Sequence, residues 1–223
     1  MLIQTPPSKA DEAYRLLEDK IVTLGLAPGQ WISEKALIDE LSVGRTPIRE
    51  ALQRLAVDKL VEILPRKGMR VSEINIQQQM RLLEVRRPLE AQLVILAVAR
   101  VNTDQQHSLI QLAQDMQQCA ANHDVDGFSQ LDTYFNQLLL TIADNEFLTT
   151  MLVQLHGLSR RFWMYQRRHS PLLAANSEQE LKDVAALHVN IANAIANKDR
   201  DSVLAATQQH MDYVQRFTTN SIL

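Results

Sequence analysis

Val43-Gly44-Arg45-Thr46-Pro47-Ile48-Arg49-Glu50-Ala51-Leu52-Gln53-Arg54-Leu55 reads as one short amphipathic helix. Ile48, Ala51, Leu52 and Leu55 recur at helical spacing and point to a core, while Arg45, Thr46 and Arg49 open the solvent side. Pro47 suits the first turn, where its missing N–H costs nothing. Working back, Ser33 can cap a helix over 34–41 with Ala36, Leu37 and Leu41 inward, and residues 42–44 form a tight corner. A helix over 8–24, with Ala13, Leu16, Leu17, Ile21 and Leu24 along its apolar stripe, ends at Gly25 and Pro28-Gly29. Working forward, residues 60–64 read as a strand, Pro65-Arg66-Lys67-Gly68 as a turn and 69–71 as the returning strand. Three helices and a basic hairpin in that order predict a winged helix-turn-helix over residues 1–72.

Charge distribution supports a nucleic-acid partner better than the net charge of −3 suggests. Residues 44–70 carry seven basic and three acidic side chains, whereas 72–223 carry 12 basic and 16 acidic. A localised basic patch on an acidic body is an electrostatic footprint for phosphate. At 46% hydrophobic and 22% charged, the chain is too apolar to be disordered. Its single cysteine, Cys119, excludes an intrachain disulfide framework and fits a reducing cytoplasm. The first residues show no cationic-then-apolar leader, and the longest apolar run, 93–99, is far too short to span a bilayer. A cytoplasmic protein with no membrane partner is expected.

Beyond residue 76 the pattern is helical throughout. Helices are expected over 76–101 with strain at Pro88, then 104–122, 126–143, 145–168 with a break near Gly157, 178–197 and 200–218. Residues 171–176 read as a loop. Only Gly127 and Gly157 interrupt this region, so the expectation for 76–220 is an all-α bundle. The fold class is therefore mostly α, a winged helix-turn-helix followed by a helical bundle.

A winged domain binds DNA by base contacts from the third helix and by backbone contacts that hold register. Arg45 and Arg49 are four residues apart and share a face, so either can contact guanine bidentately. Thr46 can reach a phosphate or a thymine methyl. Lys35 enters from the second helix, Arg66 and Lys67 sit at the wing tip, and Gly68 allows close approach to the backbone. At these residues the chain resembles the GntR family of bacterial transcriptional regulators. The resemblance rests on Pro28-Gly29, Ser33-Glu34, the block from Val43 to Leu52, and Arg66-Lys67-Gly68 followed by Val71. Gly44 stands where that family usually has Ser or Thr, which removes a hydroxyl, and Lys59 replaces a common glycine.

In the bundle, Asp132 and Asn136 share one face of a helix. His188 and His210 lie ten residues before and twelve after a turn near Lys198, which puts them at similar height in an antiparallel pair. Together they can line a cavity suited to Zn²⁺, Ni²⁺ or a related ion. Residues 76–218 resemble the all-helical ligand-binding domain of the FadR-like branch, known as the FCD domain. Arg87-Pro88-Leu89-Glu90 is read as that branch's Arg-x-x-Leu-Glu motif, and Asp132-Thr133-Tyr134-Phe135-Asn136 as its Asp-x-x-Phe-His with Asn for His. Leu187-His188 and His210 fall at the remaining histidine positions. The resemblance implies a metal held by Asp132, His188 and His210, with Asn136 as a weaker fourth donor. Arg87, with those four, is the expected effector-binding set.

The expectation is a homodimeric regulator, acting by repression, that reads a pseudo-palindromic double-stranded operator. A small organic acid in the bundle would modulate it. Two other classes fit parts of the chain. A metal-dependent enzyme would use Asp132, His188 and His210 to activate water. An effector-free architectural DNA-binding protein would have a filled, apolar bundle.

Overall fold

Ser8 opens the first helix with a reciprocal cap. Its hydroxyl accepts from the Asp11 N–H, and the Asp11 carboxylate accepts from the Ser8 N–H, at 3.1 Å each. That helix, α1 (Lys9–Val22), begins the computed structural model, which describes residues 8–170 and 177–220. The chain continues through β1 (Trp31–Ile32), α2 (Glu34–Leu41), α3 (Arg45–Val57), β2 (Val61–Leu64) and β3 (Gly68–Val71). Ser33 caps α2 through the Ala36 N–H, and Ser42 turns the corner in the left-handed region at φ 53°. The three strands form an antiparallel sheet ordered β1-β3-β2, with Val61 opposite Val71 and Leu64 opposite Gly68. β1 has no counterpart among the sequence expectations, because two residues are too few to show alternation.

Leu17, Ile21, Ile48, Ala51, Leu52, Leu55, Leu60 and Val71 form the core of this unit. Pairing across the sheet consumes some of its charge: Arg70 meets Glu62 directly opposite, at 2.8 Å. Arg54 is likewise committed, bonded to Asp11 at 2.7 Å and lying 4.4 Å over the Tyr14 ring, whose hydroxyl donates to Asp58. It is a brace for α1 against α3 rather than a reading residue.

The bundle comprises α4 (Ile76–Arg100), α5 (Thr103–Ala121), α6 (Val125–Ala143), α7 (Glu146–His169), α8 (Ser177–Ala196) and α9 (Arg200–Asn220). α5 packs on α6 and α8, α4 on α6 and α9, and α8 on α9. Asn102, Asp124 and Asn145 cap α5, α6 and α7. α4 runs through Pro88, whose turn faces solvent, so the carbonyl left without a donor can meet water. The expected loop at 171–176 lies outside the described residues. No described helix is long and apolar enough to cross a membrane.

One correction concerns α7. It is unbroken at Gly157, and residues 157–164 cluster with residues 8–75 while the rest of the helix belongs to the second unit. A side chain at 157 would put its Cβ 3.0 Å from Glu18 Oε1, so the glycine serves close approach of α1 and not a helix break. Leu158 packs on the first unit's core, and buried Arg161 donates to the Ser72 carbonyl. Arg161 is 2% exposed, and Arg167, whose side chain is 4% exposed, pairs with Glu180 at 3.3 Å.

Gly44 caps α3 with an extended backbone and no side-chain hydrogen bond. A Cβ there would touch only the Pro47 ring, at 3.7 and 3.8 Å. Gly44→Ser should therefore stabilise the protein by a few tenths of a kcal/mol, and exceed Gly44→Ala by ~1 kcal/mol. Urea denaturation of the three proteins measures this, and a serine variant no more stable than the alanine one would contradict it.

Candidate functional site

The exposed face of α3 begins with Arg45, Thr46 and Arg49, and Lys35 on α2 is exposed as well. The sheet ends in a tip of exposed Arg66, Lys67 and Gly68, with Arg66 and Gly68 at φ 64° and 99°. With Arg54 and Arg70 engaged inside the unit, Lys35, Arg45, Arg49, Arg66 and Lys67 are among the cations it leaves exposed around α3 and the wing. Arg49 is the partly held member, its Nε 2.9 Å from a Glu34 carboxylate oxygen.

In the bundle, each chemical side chain replaces an apolar one on a buried helical stripe. On α6, Asp132 lies between Phe128 and Phe135; on α8, His188 lies between Val184 and Ile191; on α9, His210 follows Thr207 and precedes Tyr213. His188 is almost fully enclosed, its ring edge-on to Phe128 and Phe135 with centroids 5.9 and 5.2 Å away. The His188 and His210 rings meet at 4.9 Å. His188 Nε2 lies 3.0 Å from Asp132 Oδ1, and Nδ1 lies 2.8 Å from the Val184 carbonyl. Burial would raise the Asp132 carboxyl, but the His188 hydrogen bond and the charges of His188, His210 and Arg86 hold it at about 2. Burial, reinforced by His188 and Arg86, pushes His210 down to about 3, so its ring is neutral near pH 7.

Arg87 does not face this centre. Its guanidinium pairs with Asp212 at 2.7 Å and Gln215 at 2.8 Å. The inward arginine is Arg86, one position earlier. Its side chain is 7% exposed, and its Nε donates to Glu90 Oε1 at 2.7 Å. The same carboxylate oxygen lies 2.8 Å from His156 Nε2 on α7. Burial works against ionised Glu90, yet Arg86 and His156 hold its carboxyl well below the usual range. Among the described residues, the two terminal amino groups of Arg86 take no hydrogen bond. Two signals pointed to Arg86: counting Arg-x-x-Leu-Glu back from Glu90 lands on it, and so does the stripe Leu83, Glu90, Leu93, Ala97. No local signal marks His156, because its partner is 66 positions away.

Hydrogen bonds within the centre test its fitness for a metal. The Val184 carbonyl only accepts, so His188 Nδ1 carries a hydrogen and Nε2 is the nitrogen that faces Asp132. That nitrogen and a carboxylate oxygen 3.0 Å apart can share a proton or a metal ion. Ligands each ~2.0–2.1 Å from one tetrahedral Zn²⁺ are separated by about 3.3 Å, near the spacing here, and the carbonyl-fixed tautomer is the usual support for such a histidine. Asp132 and His188 fit a divalent ion, with His210 beside them. Asn136 turns its amide nitrogen back onto the Asp132 carbonyl at 2.9 Å. Among the described residues no three His, Cys, Asp or Glu side chains close into a cage, so the arrangement is an open pair with a third donor adjacent.

A winged reading head with an exposed basic helix, followed by a helical domain with a buried polar centre, defines a DNA-binding regulator. The chain belongs to the GntR family: residues 9–71 match the bacterial regulatory proteins of the gntR family, and residues 81–213 match the FCD domain. It is 28% identical to the HTH-type transcriptional repressor RspR of Escherichia coli strain K12, over 91% of this chain and 86% of that protein. It is 27% identical to the gluconate operon transcriptional repressor of Bacillus licheniformis, over 93% and 85%. Its fold is similar to that of E. coli McbR/YncC, with a TM-score of 0.85 at 20% identity over 98% of this chain and 100% of that one. A regulator from Rhodococcus sp. RHA1 follows at 0.68 and 21%, over 97% and 98%. The protein is a transcriptional regulator and not an enzyme.

Removing one partner of a buried ion pair leaves the other uncompensated. Glu90→Met should cost about 3–5 kcal/mol, whereas Arg86→Met with Glu90→Met should recover much of that loss. Urea denaturation gives both values, and a double variant less stable than Glu90→Met alone would contradict the pairing.

Proposed function

We propose that the protein is a cytoplasmic homodimeric repressor whose hold on a pseudo-palindromic operator is set by a small organic acid bound in the helical domain. The observation that carries this reading is Arg86, a buried guanidinium whose Nε is taken by Glu90 and whose outer edge is open. A carboxylate matches that edge with two parallel hydrogen bonds. Asp132, His188 and His210 line the same centre, since the Arg86 charge bears on Asp132 and His210. These three would hold a divalent ion, Zn²⁺ or Ni²⁺, which supplies positive charge and open positions for the acid's oxygens. The relatives RspR and GlaR, named as repressors, support the mode, and the gluconate operon repressor, named for a sugar-acid operon, supports the ligand class.

At the DNA, Arg45 and Arg49 read base edges, Thr46 and Lys35 meet backbone or base, and Arg66, Lys67 and Gly68 fix the wing on phosphate. Two copies place their α3 helices in successive major grooves. Effector binding shifts the population between arrangements that space the two heads correctly and those that do not.

Operators recovered from random duplex DNA by the wild-type protein provide the substrate for the first test. Arg45→Ala or Arg49→Ala should lower operator affinity about tenfold or more with the thermal midpoint unchanged. Lys67→Ala should weaken all duplexes alike and reduce the salt slope by about one. Selectivity untouched by either arginine change would remove α3 as the reading helix. Metal analysis of purified wild type and Asn136→His provides the second test. The histidine variant should retain more Zn²⁺ or Ni²⁺ per protomer, and equal, negligible content in both would rule out the metal.

A further inference from the structure

We infer that Glu34 is a positioning residue for base recognition, holding Arg49 so that the outer edge of its guanidinium faces the groove. Glu34 is the first residue of α2, and Ser33 already supplies that helix's cap. The Glu34 carboxylate therefore has no capping duty, and it turns across to α3 instead. Both of its oxygens lie within hydrogen-bonding distance of Arg49 Nε, at 3.2 and 2.9 Å. Among the described residues, Arg49 makes no other hydrogen bond, so its two terminal amino groups are free. Those two groups form the edge that pairs with guanine O6 and N7. Among the described residues, Lys35 and Arg45 have no such acid.

A phosphate accepts an arginine in many orientations and needs no such support. A base edge accepts one orientation, and a side chain with four rotatable torsions loses much of its freedom in adopting it. Anchoring Nε removes part of that loss before DNA arrives. The arrangement also carries a cost, because a carboxylate 27% exposed beside the reading helix repels phosphate. An acid here lowers affinity for every duplex and restores it only where Arg49 finds its base. Glu34 thus trades general attraction for discrimination.

This inference rests on α3 being the reading helix, and the test separates the two. The full-length protein, with Glu34→Ala, Glu34→Gln, Arg49→Ala and the Glu34→Ala/Arg49→Ala pair, is titrated by fluorescence anisotropy. The probes are the operator selected by wild type and a scrambled duplex of the same composition. Glu34→Ala should lower the operator-to-scrambled affinity ratio about tenfold, with affinity for the scrambled duplex equal to or above wild type. Glu34→Gln, which keeps an acceptor for Nε, should fall between wild type and alanine. In the Arg49→Ala background, Glu34→Ala should leave the ratio unchanged. A ratio that does not fall in Glu34→Ala, or that falls equally in both backgrounds, overturns the role of Glu34. If Arg49→Ala itself keeps wild-type selectivity, the reading-helix assignment falls too. Thermal midpoints of all variants separate loss of fold from loss of selectivity, since a purely structural defect weakens both duplexes together.

Discussion

A guanidinium and a carboxylate removed from water in a helical bundle, with a second carboxylate half-buried beside them, are costly unless opposite charges meet them. The second unit of this protein is arranged around that requirement. Glu90 on α4 takes Arg86 from its own helix and His156 from α7. Asp132 on α6 takes His188 from α8, whose second nitrogen is tied to a backbone carbonyl. These contacts are directional where apolar packing is not, so they fix the register of α4, α6, α7 and α8 around one centre. An apolar core of the same volume would be as stable. The polar core adds a preformed set of charges, already paired and oriented, which under the proposed function would let an acid bind with little rearrangement.

The first unit handles charge in the opposite way. Arg54 and Arg70 are spent on internal acids, and Arg45, Lys35, Arg66 and Lys67 are left to solvent around α3 and the wing tip. The distinction was not legible in the sequence, where all of these are basic residues in a basic segment. It depends on which acid each cation meets. Arg54 finds Asp11, 43 residues earlier, and Arg70 finds Glu62 because the hairpin register puts them opposite.

Helical periodicity, cap residues and turn chemistry are local, so the order of elements from α1 to α9 could be read directly with boundaries off by a residue or two. The adjacency of His188 and His210 was also legible, because an antiparallel pair with a known turn fixes relative height. Four features were missed. β1 is too short to carry a period. The segment 157–164 belongs with the first unit because of contacts that helical spacing cannot express. Arg86 lay next to Arg87, and only the buried stripe of α4, read together with correct motif spacing, separates them. His156 had no signal, since its partner is on another helix.

Thermal unfolding of the full-length protein against a panel of carboxylic acids and their amides, with and without Zn²⁺ or Ni²⁺, tests the sensing centre most directly when wild type is compared with Arg86→Met. At about a hundredfold excess over Kd, one of the acids should raise the wild-type midpoint by roughly 5 °C or more and alter operator affinity. Its amide should do neither, and Arg86→Met should abolish both effects. An amide that works as well as the acid, or a shift that survives in Arg86→Met, would contradict a carboxylate-sensing centre built on this arginine.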